Sequence, residues 1–138
     1  MTDWQAPWAV LMTKAKGESI IHETVFESRF GYIDELKKMG ANIKLFNPTV
    51  DSPMDYYNFN PEDDNKEFFH AAKITGPVAL HNAVVGITDL RAGATLVIAA
   101  LAAKGETVIH GIEIIERGYE DFDIRLLSLG ADIKIVRE

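Results

Sequence analysis

Near the start of the chain Trp4, Trp8, Leu11, Met12 and Ala15 recur at i, i+4, i+7, i+8 and i+11. That spacing predicts one apolar stripe on a helix, with Thr2 or Asp3 where an N-cap belongs. Gly17 is the expected stop. Residues 18–25 read as a strand, residues 30–39 as a second helix closed by Gly40, and residues 43–46 as a strand ending before Pro48. The same order of helix, strand, helix, strand returns further along. An almost wholly apolar helix is predicted over 91–104 and a strand over 107–112. A helix with Tyr119, Phe122, Leu126 and Leu129 on one face follows, and then a last strand over 132–136. A helix that is apolar all round needs cover on every side, so the 91–104 helix is expected to be the most buried element.

The recurrence is visible residue by residue. Thr2-Asp3-Trp4-Gln5-Ala6 answers to Thr88-Asp89-Leu90-Arg91-Ala92, Ala15-Lys16-Gly17-Glu18 to Ala103-Lys104-Gly105-Glu106, and Gly40-Ala41-Asn42-Ile43-Lys44 to Gly130-Ala131-Asp132-Ile133-Lys134. The chain therefore reads as two copies of one supersecondary unit. Residues 1–50 form the first unit, 51–72 a connecting loop, and 73–138 the second unit with its leading strands, all within a single partial domain. The loop carries Asp51, Asp55, Glu62, Asp63, Asp64 and Glu67 against Lys66 alone. Its aromatics, Tyr56, Tyr57, Phe59, Phe68 and Phe69, either pin it to the body or stack on a ligand. After the loop, strand-like alternation runs from Ile74 through Val78, Leu80 and Val84 to Gly86. Helices packed on sheets in each unit give an α/β fold class.

Composition narrows the function. The 138 residues suit one domain, and a net charge of −7 argues against a surface that neutralises nucleic-acid phosphates. There is no cysteine, which excludes a disulfide framework, a thiolate metal site and a cysteine nucleophile within these residues. The longest apolar stretch, 92–103, falls short of the roughly 20 residues a membrane span needs. Neither a basic n-region nor an apolar h-region follows Met1, so a cytoplasmic location is expected.

Polar residues at matching corners are the candidates for chemistry. Asp3 and Asp89 are repeat mates, each a cap or a cleft carboxylate. Arg29 and Arg117 also correspond, each expected after a strand and before a helix. There a guanidinium and backbone N–H groups could hold a phosphate or carboxylate oxygen, or the arginine could simply pair with nearby Glu27 or Glu116. His22 and His110 are expected to be strand histidines, with no second ligand at metal-binding spacing.

Taken together, TDWQAP at 2–7, ETVFESRF at 23–30, GITDLRAGA at 86–94 and ERGYED at 116–121, with LKKMGANI and LLSLGADI after the arginine corners, are a recognisable set. They resemble the C-terminal part of the UDP-N-acetylglucosamine 1-carboxyvinyltransferases, a branch of the enolpyruvyl transferase family. The resemblance covers nearly all of the chain except the acidic loop. It implies βαβαββ-type units of an inside-out α/β barrel domain, helices inside and sheets outside. It implies transfer of enolpyruvyl from phosphoenolpyruvate to the 3-hydroxyl of UDP-N-acetylglucosamine, by addition and then elimination of phosphate, without metal or cofactor. On the matching positions Asp3 would be the general base beside the reacting hydroxyl. Val25 would contact the nucleotide sugar and Arg117 the phosphoenolpyruvate or phosphate, while Arg29, Asp89 and Arg91 would line the same cleft.

The family's complete enzymes are several times longer, and the part without a counterpart here carries the phosphoenolpyruvate lysine and asparagine and the cysteine or aspartate of a mobile loop. The resemblance thus implies a C-terminal fragment, or one half of a split enzyme, that needs its N-terminal part as partner to act. The alternative is a stand-alone module that binds nucleotide sugar or phosphate without catalysis. Neither nucleic acid nor a membrane is an expected partner.

Overall fold

The computed structural model describes residues 2–137. A 3-10 turn, Thr2–Trp4, leads into helix α1, Gln5–Met12, and strand β1, Gly17–His22. Helix α2 is Ile33–Lys38, β2 is Ile43–Phe46, and a single helical turn, α3, occupies Pro53–Tyr56. Strands β3, Ala71–Gly76, and β4, Val84–Gly86, precede helix α4, Leu90–Ala102. Strand β5, Val108–His110, and two short helices, α5 (Ile112–Gly118) and α6 (Phe122–Ser128), complete an α/β fold.

Strand β3 lies between β1 and β2 and runs antiparallel to both, with Ile74 opposite Ser19 on one side and Ile43 on the other. Strands β1 and β2 are consecutive in the chain yet do not pair with each other. The second sheet is the parallel pair β4 and β5, with Val85 opposite Ile109. Helix α4 is the crossover that a parallel pair requires.

The main core is built where α1, α2 and α4 meet the first sheet. Helix α1 gives it Ala6, Ala9 and Val10, and α4 gives Ala92, Leu96 and Ala99. Small side chains on both partners let the two helix axes approach closely. Helix α2 adds Ile33, Leu36 and Met39, and β2 and β3 add Ile43, Ala72 and Ile74. A smaller cluster of Ile87, Val97 and Ile115 sits under α5. Gly76 marks the closest backbone approach. A Cβ there would strike the carbonyl oxygen of Ala15 and lie 2.8 Å from that of Thr13 and 2.9 Å from that of Met12. Between α2 and the second sheet, Glu35 accepts from Lys38 Nζ at 2.7 Å and from the Gly86 amide at 3.1 Å.

Several elements differ from the pattern-based expectation. The stripe Trp4, Trp8 and Leu11 faces outward, with Trp8 50% and Leu11 54% exposed, while the smaller Ala6, Ala9 and Val10 face the core. Two apolar stripes lie on α1, and periodicity alone cannot choose the one that meets α4. Helix α4 is not the most buried element: it buries six of its thirteen residues against four of eight in α1, and Ile98 and Leu101 stand exposed, so cover on all sides is not met among the described residues. Strand β1 stops at His22 because the Glu23 side chain takes the Val25 and Phe26 amides, which removes them from any ladder. Helix α2 begins at Ile33 rather than residue 30. Phe30 and Tyr32 are both buried, and residues two apart cannot share a helix face. The predicted helix around Tyr119 is two helices, broken where Asp121 takes φ 50, and Leu129 is exposed. Residues 132–136 form no strand, since no described strand lies alongside to complete a ladder.

Two stability predictions follow from these contacts. Gly76→Ala should cost about 1–3 kcal/mol, because backbone oxygens, unlike a side-chain tip, cannot swing aside; denaturant titration checks it. Burial works against charge on Glu35, but the bonds from Lys38 and Gly86 outweigh it and hold the carboxyl below its ordinary value of 4.5. A carboxyl whose folded value is depressed stabilises above its unfolded value, and that stabilisation is lost as pH falls through the folded one. Unfolding midpoints of Glu35→Gln should therefore fall below the parent's at neutral pH and converge with them in acid.

Candidate functional site

The two repeat-mated acid corners meet. The N-terminal turn carries Asp3, whose Oδ1 accepts from Arg91 Nη1 at 3.4 Å across 88 residues of sequence. Asp3 caps nothing, because the residue preceding α1 is Trp4 and no side-chain bond caps that helix. Asp89 does cap. Its extended backbone and Oδ1, which accepts from the Arg91 and Ala92 amides at 3.0 Å each, start α4. The cap fixes the first turn of α4 and with it the direction in which Arg91 leaves the helix. The Asp3 and Arg91 side chains are 74% and 46% exposed, an open pair rather than a buried one.

The arginine corners fall differently from the expectation. Arg29 precedes α2 by a turn rather than directly, and its guanidinium stacks 3.9 Å over the Phe26 ring instead of pairing with Glu27. Arg117 lies in the last turn of α5, not between a strand and a helix. Its neighbour Glu116 is engaged by Arg137 at 2.7 Å, and no carboxylate pairs with Arg117 among the described residues. Gly118 packs its backbone against the Leu90 side chain, which sets the Arg117 corner beside the start of α4.

A cleft of about 280 Å³ runs along the N-terminal turn and the end of β1, with Thr2, Trp4, Trp8, His22, Glu23 and Val25 among its walls. A larger hollow of about 500 Å³ opens beside α3, but Asp51 and Asp55 line it and would repel an anionic ligand. His22 borders both. Its Nε2 lies 3.0 Å from the Tyr57 hydroxyl and its ring stacks on Tyr56, while burial and the neighbouring His70 push its pKa down against the pull of Glu23. His70 Nε2 meets Asp64 Oδ2 at 2.7 Å. The aromatic loop is thus fastened to the sheet by its own rings, with Tyr57 against Phe59 and His70.

Sequence reasoning missed Glu23. It stands inside the ETVFESRF segment, and its only local signal is an acid that follows the apolar run of β1 directly. Two of its four partners, Thr2 and Gln5, come from elsewhere in the chain, so no spacing rule reveals them.

Residues 1–126 match the EPSP synthase (3-phosphoshikimate 1-carboxyvinyltransferase) family, and the chain belongs to it. Among curated relatives, a UDP-N-acetylglucosamine 1-carboxyvinyltransferase of Protochlamydia amoebophila is 42% identical over all of this chain and 28% of its own length. A protein of the same name from Clostridium botulinum is 46% identical over 96% of this chain and 26% of its own. The crystal structure of the enolpyruvyl transferase NikO from Streptomyces tendae superposes with a TM-score of 0.74 at 32% identity, covering 97% of this chain and 26% of that one. The chain spans about a quarter of the length of the curated relatives it matches.

The cap is testable apart from any reaction. Asp89→Ala should lower stability by about 0.5–2 kcal/mol and Asp89→Asn by far less, because an amide oxygen still accepts from the first-turn amides. Equal losses in urea titrations of the two variants would contradict the capping role.

Proposed function

We propose that this chain forms one part of an enolpyruvyl transferase acting on phosphoenolpyruvate and UDP-N-acetylglucosamine, the first committed step of peptidoglycan synthesis in the cytoplasm. The observation that carries the reading is the Asp3–Arg91 pair, beside a cleft that includes Val25. These residues belong to the segments whose resemblance is to the UDP-N-acetylglucosamine branch.

In this reading Asp3 takes the proton of the sugar 3-hydroxyl as its oxygen bonds to C2 of phosphoenolpyruvate, while C3 gains a proton. Loss of a C3 proton then restores the double bond and expels phosphate. Arg91 beside Asp3 orients the carboxylate and adds positive charge to the cleft. Arg117, which no described carboxylate neutralises, holds the phosphate or carboxylate of phosphoenolpyruvate through both stages. A planar fork of donors suits that task better than a point charge. Arg29 adds charge to the same cleft, Val25 lies against the nucleotide sugar, and Asp89 acts by aiming Arg91.

Asp3 is open to water here, and addition to the C2 of an enol phosphate needs a closed, preorganised site. The remainder of the enzyme, present in the longer relatives, would supply that closure. The outward faces of α1, with Trp8 and Leu11, and of α4, with Ile98 and Leu101, are the surfaces such a remainder would cover.

By itself the chain should release no phosphate from phosphoenolpyruvate in the presence of UDP-N-acetylglucosamine; turnover above a no-protein control would contradict the incomplete-site reading. With the remaining part of a relative supplied as a partner chain or by fusion, Arg117→Ala should depress turnover roughly ten- to a hundredfold. Arg117→Lys should recover only part of it. His110→Ala should leave turnover per folded molecule unchanged.

A further inference from the structure

Glu23 is the only carboxylate residue among the described residues that is nearly fully buried, at 4% exposure, and it forms none of the described salt bridges. Burial of a charge is tolerated only where donors surround it. Here they come from two directions. Oε2 accepts from Thr2 Oγ1 at 2.7 Å and from Gln5 Nε2 at 3.0 Å. Oε1 accepts from the Val25 amide at 2.8 Å and the Phe26 amide at 3.4 Å. Thr2 and Gln5 bracket the turn that bears Asp3, and the Phe26 ring carries the Arg29 guanidinium at 3.9 Å.

We propose that Glu23 is a positioning residue of the transfer site, joining the Asp3 turn to the Val25 corner through one carboxylate and holding them at a fixed separation. The assignment rests on the function proposed above. Oε1 must stay an acceptor, because the Val25 and Phe26 amides can only donate. An amide in place of the carboxylate would present its NH₂ to Thr2 and Gln5, whose hydroxyl and carboxamide would have to reverse to accept from it, and that reversal shifts the Asp3 turn. Glu23 itself touches neither substrate. Its effect reaches the reaction through the placement of Asp3, where an error of about 1 Å can cost a hundredfold in rate.

Two readouts test this, one independent of turnover. In the 138-residue chain, Glu23→Gln should speed hydrogen exchange of the Val25 and Phe26 amides, or shift the amide resonances of Asp3 and Trp4, while the β3 amides stay protected. Parent-like exchange and resonances at both sides would overturn the proposal. With the remaining part of a relative supplied, the variant should lower kcat and raise the KM for UDP-N-acetylglucosamine, each roughly tenfold, with the KM for phosphoenolpyruvate within about twofold of the parent's. A general loss of folded protein would leave all three constants of the folded fraction unchanged, and that result would also overturn it. Should Glu23→Gln fail to fold, Thr2→Val removes one donor on the Asp3 side alone. It should lower kcat while the Val25 amide remains protected, and an unchanged kcat would count against the proposal. If the assembled parent enzyme shows no turnover, the proposed function fails, and the exchange and resonance data still decide whether Glu23 ties the two corners.

Discussion

The structure depends on β3 finding its place between β1 and β2. Until the chain has passed through the acidic loop and returned, two strands that follow each other in sequence have no shared ladder and their inward side chains have nothing to close over. Once β3 is seated, Ile74 faces the helices from the centre of the sheet, and Gly76 brings the strand end against the carbonyls that finish α1. That contact holds α1, and the position of α1 sets the position of Asp3. A non-local ladder of this kind carries loop-closure entropy before it yields contacts.

The acidic loop is part of this arrangement rather than an appendage. It is tied partway along by the bond from the Asn58 amide to the Thr24 carbonyl, 2.8 Å, and near its end by Asn47, which accepts from the His70 amide at 2.8 Å. His70 in turn offers its carbonyl to the Glu23 amide at 2.8 Å. The residue that buries a carboxylate between two corners is therefore itself anchored at the junction of β1, β3 and the loop. Two of the loop's carboxylates, Asp51 and Asp55, line the hollow beside α3, whereas Arg91 and Arg117 belong to the corners around the start of α4. That division leaves local positive charge at these corners in a chain of net charge −7.

Helices α1 and α4 each carry two apolar faces. On α1 the smaller Ala6, Ala9 and Val10 turn inward while Trp8 and Leu11 look outward; on α4 Ala92, Leu96 and Ala99 turn inward while Ile98 and Leu101 look outward. Small residues permit close helix packing, and large ones would hold the axes apart. Exposed on those outward faces are Trp8, Leu11, Ile98 and Leu101, and Asp3 and Arg91 stand at the N-terminal ends of the same two helices.

The sequence by itself determined the α/β class, the presence of α1, β1, α2, β2, α4 and β5, and the short runs that recur between the two halves. Those features are local, written in spacings of three and four or in short identical runs. Tertiary structure alone decided which stripe of α1 faces inward, because both stripes satisfy a helical period and only the partner helix distinguishes them. It decided that β1 ends at His22, since the group that removes the next amides from the ladder is a side chain folding back on them. It left residues 132–136 without a strand, because a strand exists only beside another. It also made Glu23 a bridge between the Asp3 turn and the Val25 corner, as two of its four donors lie on α1 or just before it, beyond the reach of any local pattern.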